Sequence, residues 1–211
     1  MARYLGPREK IERRLGAKLF LKGERSLSPK SATVKRMYPP GVHGKKFARR
    51  GSEFGQQLRS KQKVRQMYRM LEKQFKNLVK KAIESPLETG EFLVRKLEHR
   101  LDNVVYRAGI AQSRDQARQV VNHGHIFVNN RRVSIPSFEV SVGDVVTIRK
   151  ESLALKYFSA LMPTWFKNHK PPSWLTVDQG TQVISIIGIP TLSDSGIEGA
   201  DLQSLVEFYS R

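Results

Sequence analysis

The chain contains no cysteine in its 211 residues. Disulfides and thiolate metal sites are therefore excluded, and nothing in the composition points to a secreted context. Long apolar runs are also missing. The longest, from Val183 to Leu192, is interrupted by Gly188 and Pro190 and falls far short of the ~20 residues that a membrane helix needs. The opening Met1-Ala-Arg-Tyr-Leu-Gly-Pro7 lacks the apolar core of a signal peptide, so neither a leader nor membrane attachment is expected. Acidic residues are scarce where basic ones are dense. Residues 1–83 hold 24 Lys plus Arg against 5 Asp plus Glu, whereas residues 84–211 hold 14 of each. The formal charge of +19 thus belongs to the first two fifths of the chain, and such an excess calls for a polyanionic partner. Conversely, residues 171–210 contain no Lys or Arg at all.

Catalytic constellations are missing too. No Gly-rich phosphate loop, nucleophile elbow or zinc-protease helix can be read in the sequence, and no enzyme activity or cofactor is expected. The five histidines are His43, His99, His123, His125 and His169. Of these only His123 and His125 lie close enough to suggest a metal, and a His near a helix C-terminus more often serves the dipole or a phosphate.

The richest stretch runs from His99 to Asp144. Leu101, Val104 and Val105 have helical spacing, and Gly109 stands where a left-handed stop belongs. Ser113 and Gln116 form a capping-box pair opening a second helix, which Gly124 ends. Ile126 and Val128 then alternate into Asn129-Asn130, a pair tolerant of positive φ, before Arg131, Arg132 and Val133: a hairpin. Arg114 and Arg118 lie one turn apart on one helix face, and both are expected to face solvent. With Arg100, Arg107, Arg131, Arg132, His123 and His125 in the same unit, phosphate binding is the expected chemistry.

Around this unit the coarse pattern is helical. Residues 1–50 carry 15 basic and three acidic residues with little apolar periodicity; an extended segment is expected, disordered until a polyanion is present. Across residues 56–83, Val64, Tyr68, Leu71, Phe75, Leu78 and Ala82 form an apolar seam. That pattern predicts one long helix, with Arg65, Arg69, Lys73, Lys76 and Lys80 as a basic stripe. Ser85-Pro86 breaks it, and a short helix over Gly90–Glu98 follows. Val145–Arg149 reads as a strand. Ser152 is placed to cap a helix that Pro163 ends, Trp174-Leu175 and Val183–Ile187 read as β, and Asp201 is placed to cap a last helix carrying Leu202, Leu205, Val206 and Tyr209.

Leu97-x-x-Arg100-Leu101-x-x-x-Val105-x-Arg107, Ser113-Arg114, Ala117-Arg118-Gln119 and Gly124-His125-Ile126-x-Val128-Asn129 resemble the S-four RNA-binding domain. The likeness extends to Ala2-Arg-Tyr-Leu-Gly-Pro7, Pro40-Gly-Val-His-Gly44, Gln57-Leu-Arg-x-Lys61, Leu71-Glu-x-Gln-Phe75 and Leu205–Arg211. Together these resemble the small-subunit ribosomal S-four family over nearly the whole chain. Two other classes carry the same module. An RNA-modifying enzyme such as a pseudouridine synthase would need a catalytic domain that has no room here. A small RNA-binding stress factor would lack the basic N-terminal segment and the Leu205–Arg211 ending.

The resemblance implies an α+β fold. Residues 46–98 and 164–211 would form a helical body, 99–163 the inserted module and 1–45 the basic extension. It implies direct binding to small-subunit rRNA, early assembly of the subunit, a place in the ribosome of the cytoplasm or an organelle, and neighbours S-five and S-three. It also implies support of decoding accuracy and of mRNA entry, with Lys45, Lys46, Arg49 and Arg50 as the matching positions. The rRNA-contacting residues expected are Arg3, Arg13, Arg14, Arg65, Arg69, Lys73, Lys76, Arg100, Arg107, Ser113, Arg114, Arg118, Gln119, His123, His125, Asn129 and Arg131. Some members of the family hold zinc on cysteines near the N-terminus. With no cysteine, that site is absent here.

Overall fold

A computed structural model describes residues 4–46 and 51–210. The chain divides into two compact units, one of Met1–Leu93 with Gly196–Arg211 and one of Val94–Ser195.

In the first unit, helix α1 (Arg8–Leu15) leads through a 3-10 turn at Gly23–Ser26 to the short α2 (Ala32–Lys35). The extended path expected for residues 1–45 does not hold for the described part. Leu19 and Leu21 are buried, and the buried carboxylate of Glu12 accepts the amides of both, at 3.2 and 3.1 Å. Its desolvation raises the Glu12 pKa above the ordinary value, with the two amide bonds opposing. Two buried leucines and one buried hydrogen-bond acceptor thus give this stretch a defined path.

The expected single helix over 56–83 is two helices, α3 (Glu53–Met67) and α4 (Glu72–Ile83). The break is at Arg69, whose φ is 55°. Its side chain is buried, bonded to Gln66 Oε1 at 3.1 Å and to the carbonyl of Tyr4 at 3.3 Å, and lies over the Tyr4 ring. These contacts offset the cost of a left-handed non-glycine residue, on the order of 1–2 kcal/mol. Ser52 caps α3 by accepting the Gly55 amide at 3.2 Å, and α4 buries Phe75, Val79 and Ala82.

The last helix, α10 (Gly199–Ser210), packs on α3. Asp201 does not cap it but lies in its first turn, where it binds Lys63 Nζ at 2.6 Å and accepts the Ser60 hydroxyl at 2.7 Å. Glu198 adds a second contact to Lys63, and Glu207 accepts from Gln57. A helix without Lys or Arg is therefore matched to a basic one. Both acids raise the Lys63 pKa against its desolvation.

Helix α5 (Thr89–Glu98) runs from the first unit into the second, which holds α6 (Leu101–Arg107), α7 (Arg114–Asn122), β1 (Ile126–Val128), β2 (Arg131–Arg132) and β3 (Val145–Ile148). Gly109 and Gly124 take positive φ as expected. Ser113 accepts the Gln116 amide, but the Gln116 side chain accepts the Gln112 amide, one residue beyond the N-cap amide of the usual box. Asn129 and Asn130 have φ of 48° and 62°, making the hairpin turn. Asn130→Val should cost about 1–2 kcal/mol of stability, because a β-branched residue resists this conformation. Thermal unfolding should place Asn130→Gly at or above the parent and Asn130→Val clearly below it.

Beyond β3, Ser152 does not cap a helix. Its hydroxyl meets His125 Nδ1 at 2.9 Å, and a π-helical turn spans Tyr157–Leu161. Pro163 begins α8 (Pro163–Phe166) rather than ending a helix, as its missing N–H permits. The strands β4 (Leu175–Asp178) and β5 (Val183–Ile186) complete an antiparallel sheet of order β2-β1-β3-β5-β4, followed by α9 (Leu192–Ser195). Val145 pairs with Ser185 and Val146 with Ile184. Residues 164–195 thus lie with the module in one compact unit, and Gly196–Arg211 with the N-terminal helices in the other. Inward side chains of the sheet, Ile126, Val146 and Ile184 among them, close one core with α6 and α7.

Candidate RNA interface

Six arginines of the 94–195 unit fall into two sets. Four of them turn inward. Arg107 makes a bidentate pair with Glu98, both contacts 2.9 Å, and also donates to the carbonyl of Ser195. Asn103 donates to the same carboxylate at 2.8 Å and accepts from Arg114 Nε at 2.8 Å, while the Arg114 guanidinium lies over the Tyr106 ring. Arg100 pairs with Asp102 at 3.1 and 2.9 Å, and Arg118 approaches Asp102 at 3.8 Å. Glu98 is 0% exposed and Asp102 5%.

The expectation that Arg114 and Arg118 face solvent is therefore corrected, since their side chains are only 10% and 8% exposed. The reason is the pair of acids, Glu98 at the end of α5 and Asp102 in α6, whose burial requires cationic partners. Reversing either arginine's charge would strain the fold rather than probe RNA alone. The arginines stand out in the sequence; these two acids do not. Their signal was the spacing of Glu98, Arg100 and Asp102, alternating in sign at the start of α6.

The second set points outward. Arg131 and Arg132 are exposed on β2, with Gln119 and His123 exposed on or just after α7. His123 and His125 lie with ring centroids 5.9 Å apart, and His125 also packs edge-on against Phe158. Burial, reinforced by His123, Arg149 and Arg132, depresses the His125 pKa. Among the described residues no group of three or more metal-ligating side chains is assembled. Asn129 is spent on the turn: it donates to Asp144 at 2.7 Å and accepts the Val145 amide at 2.9 Å. Ser113 is buried as a helix cap. His99, also buried, stacks near Trp174, and its pKa is lowered by burial and by Arg95.

In the first unit the expected stripe breaks at the same place as its helix. Arg65 is held by Glu72, Gln62 and the Met70 carbonyl, and Arg69 is buried. Lys73, Lys76, Lys80 and Lys81 of α4 are exposed and, unlike Lys61 and Lys63 of α3, have no acidic partner. Arg13 is tied to the carbonyls of Arg36 and Tyr38 and lies over the Tyr38 ring. Arg14 is exposed at the rim of a cleft of about 890 Å³ shared with Tyr4, Lys10 and Arg65. Lys45 and Lys46 are exposed. Arg3, Arg49 and Arg50 lie outside the described residues.

Outward cations without counter-ions, carried on helices and a hairpin, can bind phosphates in register but carry little means of reading bases.

Comparison with known proteins agrees with this chemistry. Residues 3–98 match the family described as Ribosomal protein S4/S9 N-terminal domain, and residues 99–146 match the S4 domain. The chain is 46% identical to the small ribosomal subunit protein uS4 of Roseiflexus castenholzii, with 100% of both chains covered. Identity to the proteins of the same name is 44% for Thermus thermophilus and 45% for Halothermothrix orenii, again over 100% of each chain.

Proposed function

Because this chain belongs to the uS4 family of small ribosomal subunit proteins, we propose that it is a non-enzymatic structural protein of that subunit and binds its rRNA directly. The observation that carries the reading is the face of α4. Lys73, Lys76 and Lys80 stand exposed at one-turn spacing and, among the described residues, without acidic partners, whereas α3 pairs Lys61 and Lys63 with Glu72 and Asp201. Such a row suits the phosphates of an A-form duplex. The outward Arg131, Arg132, Gln119 and His123 serve the same role on the module.

The finer roles follow as part of the same proposal. Bringing phosphate-rich helices together makes the chain an early assembly protein. Lys45 and Lys46, exposed beyond the Pro40-Gly41 turn, are suited to mRNA near its entry point, with Arg49 and Arg50 following in sequence. There the chain would have S-five and S-three as neighbours and support decoding accuracy.

Co-sedimentation with small ribosomal subunits in high salt tests the core of this. The parent chain should travel with the subunit, and Lys73→Glu with Lys76→Glu and Lys80→Glu should reduce its retention more than tenfold, each reversal replacing a phosphate contact by repulsion. A parent chain that stays in the supernatant overturns the reading. A triple variant retained like the parent removes α4 from the interface.

A further inference from the structure

We propose that the open face of the five-stranded sheet carries a stacking subsite for an unpaired RNA nucleotide, centred on Phe127. The proposal rests on the RNA-binding reading above and adds a place where a base, rather than the backbone, is held.

The geometry starts from alternation along β1. Ile126 and Val128 are buried at 0% and 4% exposure, so Phe127 between them projects from the opposite face of the sheet. It is half-buried and takes no part in the hydrophobic core. The register sets its neighbours on that outer face: Arg132 of β2 on one side and Thr147 of β3 on the other. The Arg132 guanidinium lies against Gly124, where any larger residue would overlap it. Arg131, exposed but in register with Val128, belongs to the other face. Further along, Arg149 is paired with Glu151 at 2.7 Å, which leaves Arg132 as the principal cation next to the ring.

An aromatic ring on an exposed sheet face, with a cation on one side and a hydroxyl on the other, matches the needs of a single nucleotide. The base stacks on the ring, the phosphate takes the arginine, and the Thr147 hydroxyl is available to a 2′-hydroxyl. A paired base cannot reach such a ring without leaving its stack, so the ligand is single-stranded. An apolar protein segment is the poorer occupant, because it would desolvate Arg132 without supplying negative charge.

The test uses the full chain with two probes, a short oligouridylate and an RNA duplex of equal charge. Phe127→Ala should weaken oligouridylate binding about tenfold, the size of one lost base–aromatic stack, and leave duplex binding within twofold. Phe127→Trp should retain the parent's affinity, and its added fluorescence should be quenched as the oligomer binds. Equal oligouridylate affinity for Phe127→Ala and parent would overturn the subsite, as would an equal loss on both probes, which would mark a folding or charge effect. If the parent binds duplex but not oligouridylate, the subsite falls while the RNA reading stands. If the parent binds neither, both fall.

Discussion

Replacing Glu98 by alanine should lower the unfolding free energy of the 94–195 unit by about 3–5 kcal/mol, the range for removing one partner of a buried ion pair. The side chain is fully buried and holds Arg107 through two contacts of 2.9 Å and Asn103 through one of 2.8 Å. Alanine would remove these three contacts, leave Asn103 to the carbonyl of residue 98 and Arg107 to that of Ser195, and loosen Asn103, from which Arg114 takes its bond. Glu98→Gln, which keeps the shape and one acceptor oxygen, should lose roughly half as much. Urea denaturation followed by tryptophan fluorescence reads this unit selectively, because Trp165 and Trp174 are the chain's two tryptophans and both lie within it. A loss below about 1 kcal/mol for the alanine variant would mean that the network is replaceable by water.

Raising monovalent salt from about 50 to 200 mM should weaken rRNA binding by about a thousandfold. The four exposed lysines of α4 together with Arg131 and Arg132 give six cations without acidic partners. Six neutralised phosphates correspond to a log–log slope of about −5. That slope is modest beside the formal charge of +19, because it counts only α4 and the hairpin and leaves out exposed cations nearer the N-terminus such as Arg14, Lys45 and Lys46. Filter binding across a salt series checks it. A slope near zero would remove electrostatics from the interface. A slope several-fold steeper would mean that the basic residues before α3 join α4 and the hairpin at the interface.

Local signals carried the module far. Ser113, Gly109, Gly124 and the Asn129-Asn130 pair each fix a backbone conformation by their own chemistry, and all four features stand where they were read. Partnership across long sequence separations is what local signals lack. The apolar seam from Val64 to Ala82 keeps its helical period straight through the break, since the contacts that hold Arg69 left-handed come from Tyr4 and Gln66. Likewise Val183–Ile187 was legible as β, yet only the structure gives β3 as its partner. The arginine cluster was legible as a cluster. Its orientation was not, because a carboxylate such as Glu98 reads as a surface residue until its burial is known. Phe127 was passed over as one apolar residue in a run of three, although alternation alone assigns it to the outer face.

The order in which the two units receive their parts has a consequence for synthesis. Val94–Ser195 is one uninterrupted stretch, so every strand and helix it needs has been made before the chain is finished. The other unit is assembled from the two ends of the sequence, and α3 finds Asp201, Glu207 and Phe208 only on the final helix. A nascent chain emerging from N- to C-terminus therefore completes the later-encoded module first. The earlier-encoded, strongly basic helices must wait with Lys63 unmatched until α10 arrives. During that interval the chain is at its most cationic and least folded, which is when capture by a polyanion competes most directly with its own last helix.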